Sequence, residues 1–325
     1  MLLSLAESTL NFRPSPSHYV SGYLNRPRIQ QTSIKDKMRS AIEIQKLIID
    51  TAKSDDRIRA VLLNGSRANP NSQPDKFQDF DIVFIVSNFD SFITNHSWTD
   101  VFGEKLICQL PDEMTFGEDD KDNNETIGFH YLMLFKDGNR IDLTLFPIEN
   151  FKSDFALDSL TIVWLDKDDL CPNIPLPTDT DYYIQKPTEK AFLETCNEFW
   201  WVSTYVAKGL LRNEITYAKE MLETTVRPMF MKIIEWYIGT KTHFSVSFGK
   251  GGKYMKRYLS STQYDKILAT YSDQQLENNW KSLFLMTELF GEFAATVADR
   301  LNFQYNLDEQ QNVMTYLKTS YYGEE

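Results

Sequence analysis

Two aspartates separated by a single residue, Asp79 and Asp81, stand at the start of the otherwise apolar run DFDIVFIV. Side chains alternate across a β-strand, so a strand here would project both carboxylates from one face. Neighbouring carboxylates repel each other and lose hydration on burial, and they persist where a cation or water reaches them. Their hard oxygen atoms favour Mg²⁺, whose remaining ligands usually include substrate phosphates. The spacing therefore predicts a magnesium site that handles phosphates.

The pair Gly65-Ser66 could hold those phosphates. It directly follows the β-rich run IRAVLLN. A glycine lets backbone N–H groups approach an anion closely, and the Ser66 hydroxyl adds a donor. Arg67 could add positive charge. We therefore predict a phosphate site formed by Gly65, Ser66 and Arg67.

A third carboxylate, Asp142, lies in the run RIDLTLF, where Thr144 is the other polar residue after it. If this run pairs beside the DFDIVFIV segment, the carboxylates of Asp79, Asp81 and Asp142 meet at one edge of a sheet. Three carboxylates could hold two Mg²⁺ ions about 3.5–4 Å apart, the arrangement that supports in-line phosphoryl displacement. One of them could also accept the proton of an attacking hydroxyl. Each motif is weak alone, and their conjunction is specific.

The elements that position these residues are readable from periodicity and turn signals. Helical spacing predicts a first helix over residues 38–52. Five β-rich runs predict strands, two of which flank Asp137-Gly138 as a hairpin. These runs are Ile58–Asn64, Phe80–Val86, the hairpin arms FHYLMLF and RIDLTLF, and Thr161–Asp166. The charge run within residues 111–126 is typical of a solvated loop.

Beyond Pro187 the pattern becomes helical, with helices predicted over residues 188–213, 215–239, 260–271 and 275–300. The predicted fold class is α+β, a mixed-sheet domain followed by a helical, bundle-like domain. We expect the sheet domain to span residues 38–180 and the helical domain 181–325. Residues 1–37 lack periodicity and the features of a signal peptide, and we interpret them as a leader outside the fold.

The composition excludes several functional classes. The chain has 325 residues and a formal net charge of −12, which disfavours nonspecific nucleic-acid binding. Its three cysteines show no metal-binding or disulfide spacing, so reduced thiols in the cytoplasm are expected. No apolar run approaches the roughly 20 residues of a membrane span. We predict a cytoplasmic monomer or homodimer.

The motifs resemble a known family. Gly65-Ser66 followed by Asp79-Phe80-Asp81 is similar to the signature of the DNA-polymerase-β-like nucleotidyltransferases. Longer stretches resemble the aminoglycoside 6-adenylyltransferases, which modify streptomycin, over about residues 38–301. These stretches are LLNGSRANPNSQPDKFQDFDIVFIV, DGNRIDLTLFPI, CNEFWWVSTYVAKGLLRNEI, VRPM and YMKRYL.

The resemblance implies Mg²⁺-dependent transfer of AMP from ATP to a streptomycin hydroxyl, the 6-position by the family's name. It implies that Ser66 holds nucleotide phosphates and that Asp79 and Asp81 bind metal. Asp142 matches a third acidic position, which is the proposed general base in related enzymes. Some relatives carry Glu there, and the shorter Asp leaves open whether Asp142 is the base or chiefly a metal ligand.

One face of the predicted helix 188–213 carries large aromatic and charged residues, and solvated faces rarely expose such aromatics without a contact. We hypothesise that this face lines a cleft opposite the sheet. Cations there would neutralise the triphosphate, and a carboxylate with two aromatic rings would bind a cationic sugar. The cations are Lys208 and Arg212, and the sugar-binding residues are Glu198, Trp201 and Tyr205. The glycine- and lysine-rich segment Ser247–Leu259 lacks Walker spacing, and we interpret it as a mobile interhelical loop.

Other functions stay open at this point. The same chemistry could act on another aminoglycoside, a lincosamide or a protein hydroxyl. A non-catalytic nucleotide-binding regulator is the alternative from a different class, although three intact aspartates argue against it. An RNA-directed transferase is disfavoured by the acidic balance.

Overall fold

The computed structural model describes residues 38–115 and 127–323. The predicted leader, residues 1–37, and most of the acidic run predicted as a solvated loop lie outside the described residues. The N-terminal part contains a six-stranded sheet in the order β3-β4-β5-β2-β1-β6. The strands are β1 (Ile58–Asn64), β2 (Phe80–Val86), β3 (Lys105–Gln109), β4 (Phe129–Phe135), β5 (Arg140–Pro147) and β6 (Ile162–Asp166).

The two central strands, β2 and β5, are parallel, and their register places Asp81 directly beside Asp142. The other strand pairs are antiparallel. Six of the seven residues of β2, all except Asp81, are apolar and buried, as expected for a strand covered on both faces. This apolar packing fixes the register, because a slip by one residue would turn the carboxylates to the opposite face.

Nine α-helices of the described residues complete the fold, and the α+β prediction is confirmed. The sheet part contains α1 (Ala41–Ser54), α2 (Asp90–Ile93) and α3 (Ile148–Asp154). The C-terminal part contains α4 (Glu189–Leu211), α5 (Ile215–Met221), α6 (Arg227–Lys241), α7 (Ser261–Leu268), α8 (Leu276–Leu301) and α9 (Leu307–Tyr322). Strand β3 and the helices α2, α3 and α9 were not predicted from the sequence.

The helix predicted over residues 215–239 is interrupted, because a π-helical turn, Leu222–Val226, separates α5 from α6. Arg227 fixes this junction from a buried position. Its guanidinium donates to the Thr270 hydroxyl at 3.0 Å and to the Thr270 carbonyl at 2.9 Å, pairs with Glu223, and stacks 3.7 Å from the Tyr271 ring centroid. The VRPM motif thus has a structural role in joining α6 to the segment after α7.

Three separate sets of apolar side chains form the interior of the described residues. Two of them pack around the sheet, and the third, beginning at Ile184, holds the helices together. The domain boundary near residue 180 stays a prediction. Among the described residues, no helix combines the length and apolarity needed to cross a membrane. The three cysteines are unpaired.

The start of α1 is tied to the turn between β4 and β5 by Asp137. Its carboxylate accepts hydrogen bonds from the Arg39 Nε at 2.6 Å and from the Asn139 backbone at 3.1 Å and side chain at 2.9 Å. Burial alone would raise the pKa of Asp137, but these hydrogen bonds outweigh it and hold the pKa well below its usual range. The charged form of Asp137 therefore stabilises the fold.

We predict that Asp137→Asn lowers the free energy of unfolding by about 2 kcal/mol at pH 7, the order expected for buried hydrogen bonds to a charged group. Because the folded-state pKa is depressed, this stabilisation is complete above the unfolded pKa of about 3.9 and declines as the pH falls below it. Urea unfolding at pH 7 and at about pH 3 measures both effects. Asp50→Asn, which removes an exposed Lys46–Asp50 pair, is the control and should change little. An equal loss at both pH values for Asp137→Asn would contradict the prediction.

Candidate active site

Three carboxylates meet at one end of β2 and β5, as the sequence predicted. Asp81 and Asp142 are register partners, and Asp79 immediately precedes β2. Burial, followed by the nearby charges of Asp142 and Asp79, raises the pKa of Asp81 to about 6. Burial is also the main cause that raises the pKa of Asp79, which Arg140 partly offsets. The charge of Asp142 is therefore close enough to Asp79 and Asp81 to raise the pKa of both.

Gly65 is required by the position of Asp81. Its φ of +71° lies in the left-handed region, and a Cβ at this residue would stand 2.2 Å from Asp81 Oδ2. Gly65 begins a short 3₁₀ turn, Gly65–Arg67, directly after β1. The glycine thus lets the Asp81 carboxylate pack against the backbone of the turn that carries Ser66.

Arg67 is engaged with the backbone that leads into β2. Its guanidinium donates to the carbonyls of Asp79 at 2.9 Å and Gln78 at 2.6 Å, and lies 3.7 Å from the Phe80 ring centroid. Burial lowers its pKa. Arg67 therefore holds the aspartate segment in place, and its predicted contact with a nucleotide phosphate stays a prediction.

Arg140, which the sequence analysis did not select, is the cation nearest the carboxylates. It donates from Nε to Asp142 Oδ1 at 2.7 Å and from Nη2 to Asp142 Oδ2 at 2.8 Å, and its Nε lies 3.7 Å from Asp79 Oδ2. The bond to Asp142 raises the pKa of Arg140. Its position two residues before Asp142 on β5 places both side chains on one face.

The carboxylates supply the hard oxygen donors that Mg²⁺ requires, so the residue set fits this ion. Asp142 is turned towards Arg140, however. In the part of the chain that the structure describes, no three Asp, Glu, His or Cys side chains are grouped closely enough to hold an ion together. Metal binding by Asp79, Asp81 and Asp142 therefore stays a prediction, and it requires a rearrangement of Asp142.

A cavity of about 380 Å³ opens beside this cluster. From the sheet part it is lined by Ser66, Asp79 and the loop between them. From the helical part it is lined by Lys253, Tyr254 and Arg257. A cavity of about 260 Å³ adjoins it and shares Tyr254 and Arg257. The predicted interhelical loop Ser247–Leu259 does connect α6 with α7, and it also reaches the candidate site.

Two cations of this loop line the cavity and are available for an anion. Lys253 and Arg257 lie on the Tyr254 ring, 5.2 Å and 4.0 Å from its centroid. Within residues 38–115 and 127–323, neither forms an ion pair with a carboxylate. The many glycines and lysines of the segment were the one sequence feature that pointed to anion binding. The sequence could not show that the loop faces Ser66.

The predicted stripe on α4 is exposed. The Trp201 side chain is 60% exposed, and its Nε1 donates to the Tyr205 hydroxyl at 2.9 Å. Lys208 Nζ lies 5.1 Å from the Tyr205 ring centroid, and Glu198 and Arg212 are also exposed. Helix α4 packs against α5, α6, α8 and α9. The proposed contacts of these five residues with nucleotide or substrate stay predictions.

Further carboxylates lie near Asp81 on the side of the linker between the two parts. The Tyr182 hydroxyl donates to Asp158, and the Ser159 backbone N–H donates to Asp181 at 3.3 Å. Burial, the bond to Asp158 and the charges of Asp181 and Asp81 all raise the pKa of Tyr182. The charges of Asp158, Asp181 and Asp81 therefore all act on Tyr182.

We predict that Gly65→Ala reduces the rate of the AMP transfer that the resemblance implies by about a hundredfold or more. The added Cβ would displace the Asp81 carboxylate, and displacement of a catalytic group by about 1 Å has effects of that order. The substitution should also destabilise the fold by about 1–2 kcal/mol through the left-handed backbone. Gly323→Ala is the matched control, because Gly323 has a φ of +85° and its Cβ would meet nothing within 4 Å. Initial rates and thermal unfolding measure the two effects. A rate loss no larger than that of the control would contradict the role assigned to Gly65.

Comparisons with known proteins agree with the resemblance. The sequence model of the streptomycin adenylyltransferase family matches residues 38–320. An aminoglycoside 6-adenylyltransferase from Campylobacter jejuni is 43% identical over 275 residues, which cover 84% of this chain and 93% of the relative. One from Bacillus subtilis (strain 168) is 40% identical over 285 residues, covering 87% of this chain and 99% of the relative.

A crystal structure of an aminoglycoside 6-adenyltransferase from Bacillus subtilis is 36% identical and covers 88% of this chain and 100% of that chain, with a TM-score of 0.43. The relationship therefore rests on the family match and on sequence identity over most of the chain. The resemblance seen in the motifs is confirmed. The chain belongs to the streptomycin adenylyltransferase family and is a nucleotidyltransferase.

Proposed function

We propose that this protein transfers AMP from ATP to the 6-hydroxyl of streptomycin in a Mg²⁺-dependent reaction and thereby inactivates the antibiotic. One observation carries the proposal. Asp81 and Asp142 lie in register next to Asp79, and Asp79 and Ser66 line a cavity together with the cations Lys253 and Arg257. A carboxylate cluster beside an anion-binding turn is the arrangement that nucleotidyl transfer requires.

In the proposed reaction, the acceptor hydroxyl oxygen forms a bond to the α-phosphorus of ATP. The bond from that phosphorus to the oxygen bridging the β-phosphate breaks, and pyrophosphate leaves with the electron pair. The hydroxyl proton passes to Asp142 or to a water beside it. Two Mg²⁺ ions, when bound by Asp79, Asp81 and Asp142, would stabilise charge on the attacking and leaving oxygens.

The acceptor side of the proposal rests on charge. The relatives that are 40–43% identical to this chain are named for aminoglycosides, which are polycations. Asp158 and Asp181 near Asp81 provide carboxylates for such a substrate, and Tyr182 provides an apolar ring edge and a hydroxyl. On α4, Glu198, Trp201 and Tyr205 offer further contacts of the same type. The net charge of −12 favours approach of a cation. The use of ATP and the unpaired cysteines support a cytoplasmic location.

We predict that incubation with ATP, Mg²⁺ and streptomycin yields streptomycin that is heavier by one AMP, together with an equal amount of pyrophosphate. Mass spectrometry of the antibiotic and a pyrophosphate assay measure these products. Asp81→Asn should abolish both, because it removes a charged metal ligand. If AMP is instead transferred to another aminoglycoside, a lincosamide or a protein, that molecule and not streptomycin is the acceptor. Nucleotide binding without pyrophosphate release for any acceptor would refute the enzymatic proposal.

We also predict that Lys253→Ala and Arg257→Ala each raise the KM for ATP by about tenfold, the effect of losing one charge-assisted phosphate contact. Lys256→Ala is the matched control, because Lys256 is an exposed cation of the same loop that lies over Tyr264. Lys208→Ala tests the α4 stripe in the same assay. If Lys208→Ala raises the KM for ATP and the two loop variants do not, the triphosphate is bound by α4 rather than by the loop.

A further inference from the structure

Arg140 occupies the position where positive charge is most needed in the carboxylate cluster. It forms both hydrogen bonds of a bidentate pair with Asp142, at 2.7 Å and 2.8 Å, and lies 3.7 Å from Asp79. The charges of Asp142, Asp79 and Asp81 all act on it. A single guanidinium therefore neutralises the same three groups that are proposed to bind divalent ions.

Arg140 is also the cation that is able to leave. Its side chain is 43% exposed, whereas Arg67, whose charge also reaches Asp79 and Asp81, is fixed on Phe80 and on two backbone carbonyls. An exposed arginine exchanges its contacts with water at little cost. Withdrawal of Arg140 would release Asp142 to turn towards Asp81, its register partner.

We propose that Arg140 is a positioning residue that acts as an internal counter-cation and competes with divalent metal for Asp142 and Asp79. This inference rests on the proposed function, since it assumes that these aspartates bind the metal. In the absence of nucleotide, Arg140 keeps the metal affinity low. ATP phosphates add ligands to the ion, so metal and nucleotide bind together and displace the guanidinium. The enzyme thereby avoids holding a metal in a site without substrate.

The test measures Mn²⁺ binding to the full chain by the loss of the electron paramagnetic resonance signal of free Mn²⁺. Each variant is titrated without nucleotide and then with an ATP analogue carrying a methylene group between the α- and β-phosphorus atoms. Without nucleotide, Arg140→Gln should bind Mn²⁺ about tenfold more tightly, the order expected for removing one charge-assisted bidentate pair. With the analogue, the difference from the unmodified protein should shrink. Arg140→Lys keeps the charge without the planar fork, and it should give an intermediate affinity.

Arg59→Gln is the matched control. Arg59 lies in β1 and forms a comparable pair with Asp168, which follows β6. In the sheet, β1 and β6 lie on the other side of β2 from β5, which carries Arg140. Arg59→Gln should leave Mn²⁺ binding unchanged. Thermal unfolding in a chelator gives a second readout. Arg140→Gln should unfold at a lower temperature than the unmodified protein and should recover more stability when Mn²⁺ is added, because its carboxylates repel one another without a cation.

Equal or weaker Mn²⁺ binding by Arg140→Gln than by the unmodified protein would overturn the inference, whatever the activity of the variant. Asp81→Asn separates this result from failure of the proposed function. If the unmodified protein binds Mn²⁺ with the analogue and Asp81→Asn does not, the metal site stands and the Arg140 result is decisive. If neither binds Mn²⁺ under any condition, both the inference and the proposed metal chemistry are wrong.

Discussion

The structure around the candidate site depends on the electrostatic repulsion among three carboxylates that the sheet forces together. The parallel pairing of β2 with β5 sets Asp81 beside Asp142, and the apolar residues that follow in both strands prevent either strand from slipping. The repulsion and the burial are visible in the pKa of Asp81, which is raised to about 6. A site of this kind is unfavourable without cations, and that cost is what makes it selective for them.

The immediate surroundings of the cluster offset this cost in different ways. Gly65 provides room for the Asp81 carboxylate where any other residue would collide with it. Arg67 fixes the backbone before β2 and adds a positive charge that is held in place. Arg140 adds a positive charge on a side chain that is 43% exposed. Under the proposed displacement of Arg140, the fixed cation serves the architecture and the displaced one serves the chemistry.

The helical part reaches the cavity at the candidate site through a loop. Lys253, Tyr254 and Arg257 reach the cavity because α6 and α7 hold both ends of their segment, and Arg227 anchors the start of α6. Cations placed opposite the carboxylates would give the two ends of a nucleotide triphosphate different partners. The loop cations would hold the outer phosphates, which the carboxylates repel, and the α-phosphorus would then be oriented towards the carboxylates.

The sequence by itself determined the strands β1, β2, β4, β5 and β6, the long helices up to α8, the Gly65 turn and the approach of Asp79, Asp81 and Asp142. These features follow from local periodicity and turn chemistry, which act over a few residues. Strand β3 escaped prediction because it is short and largely exposed at the sheet edge, and α9 because it is largely exposed as well. Only the tertiary structure decided that Arg140 pairs with Asp142, that Arg67 turns to the backbone, and that residues 253–257 face Ser66. Those contacts depend on how distant segments pack and on which of several nearby charges a flexible cation reaches, and no local pattern in the chain encodes either.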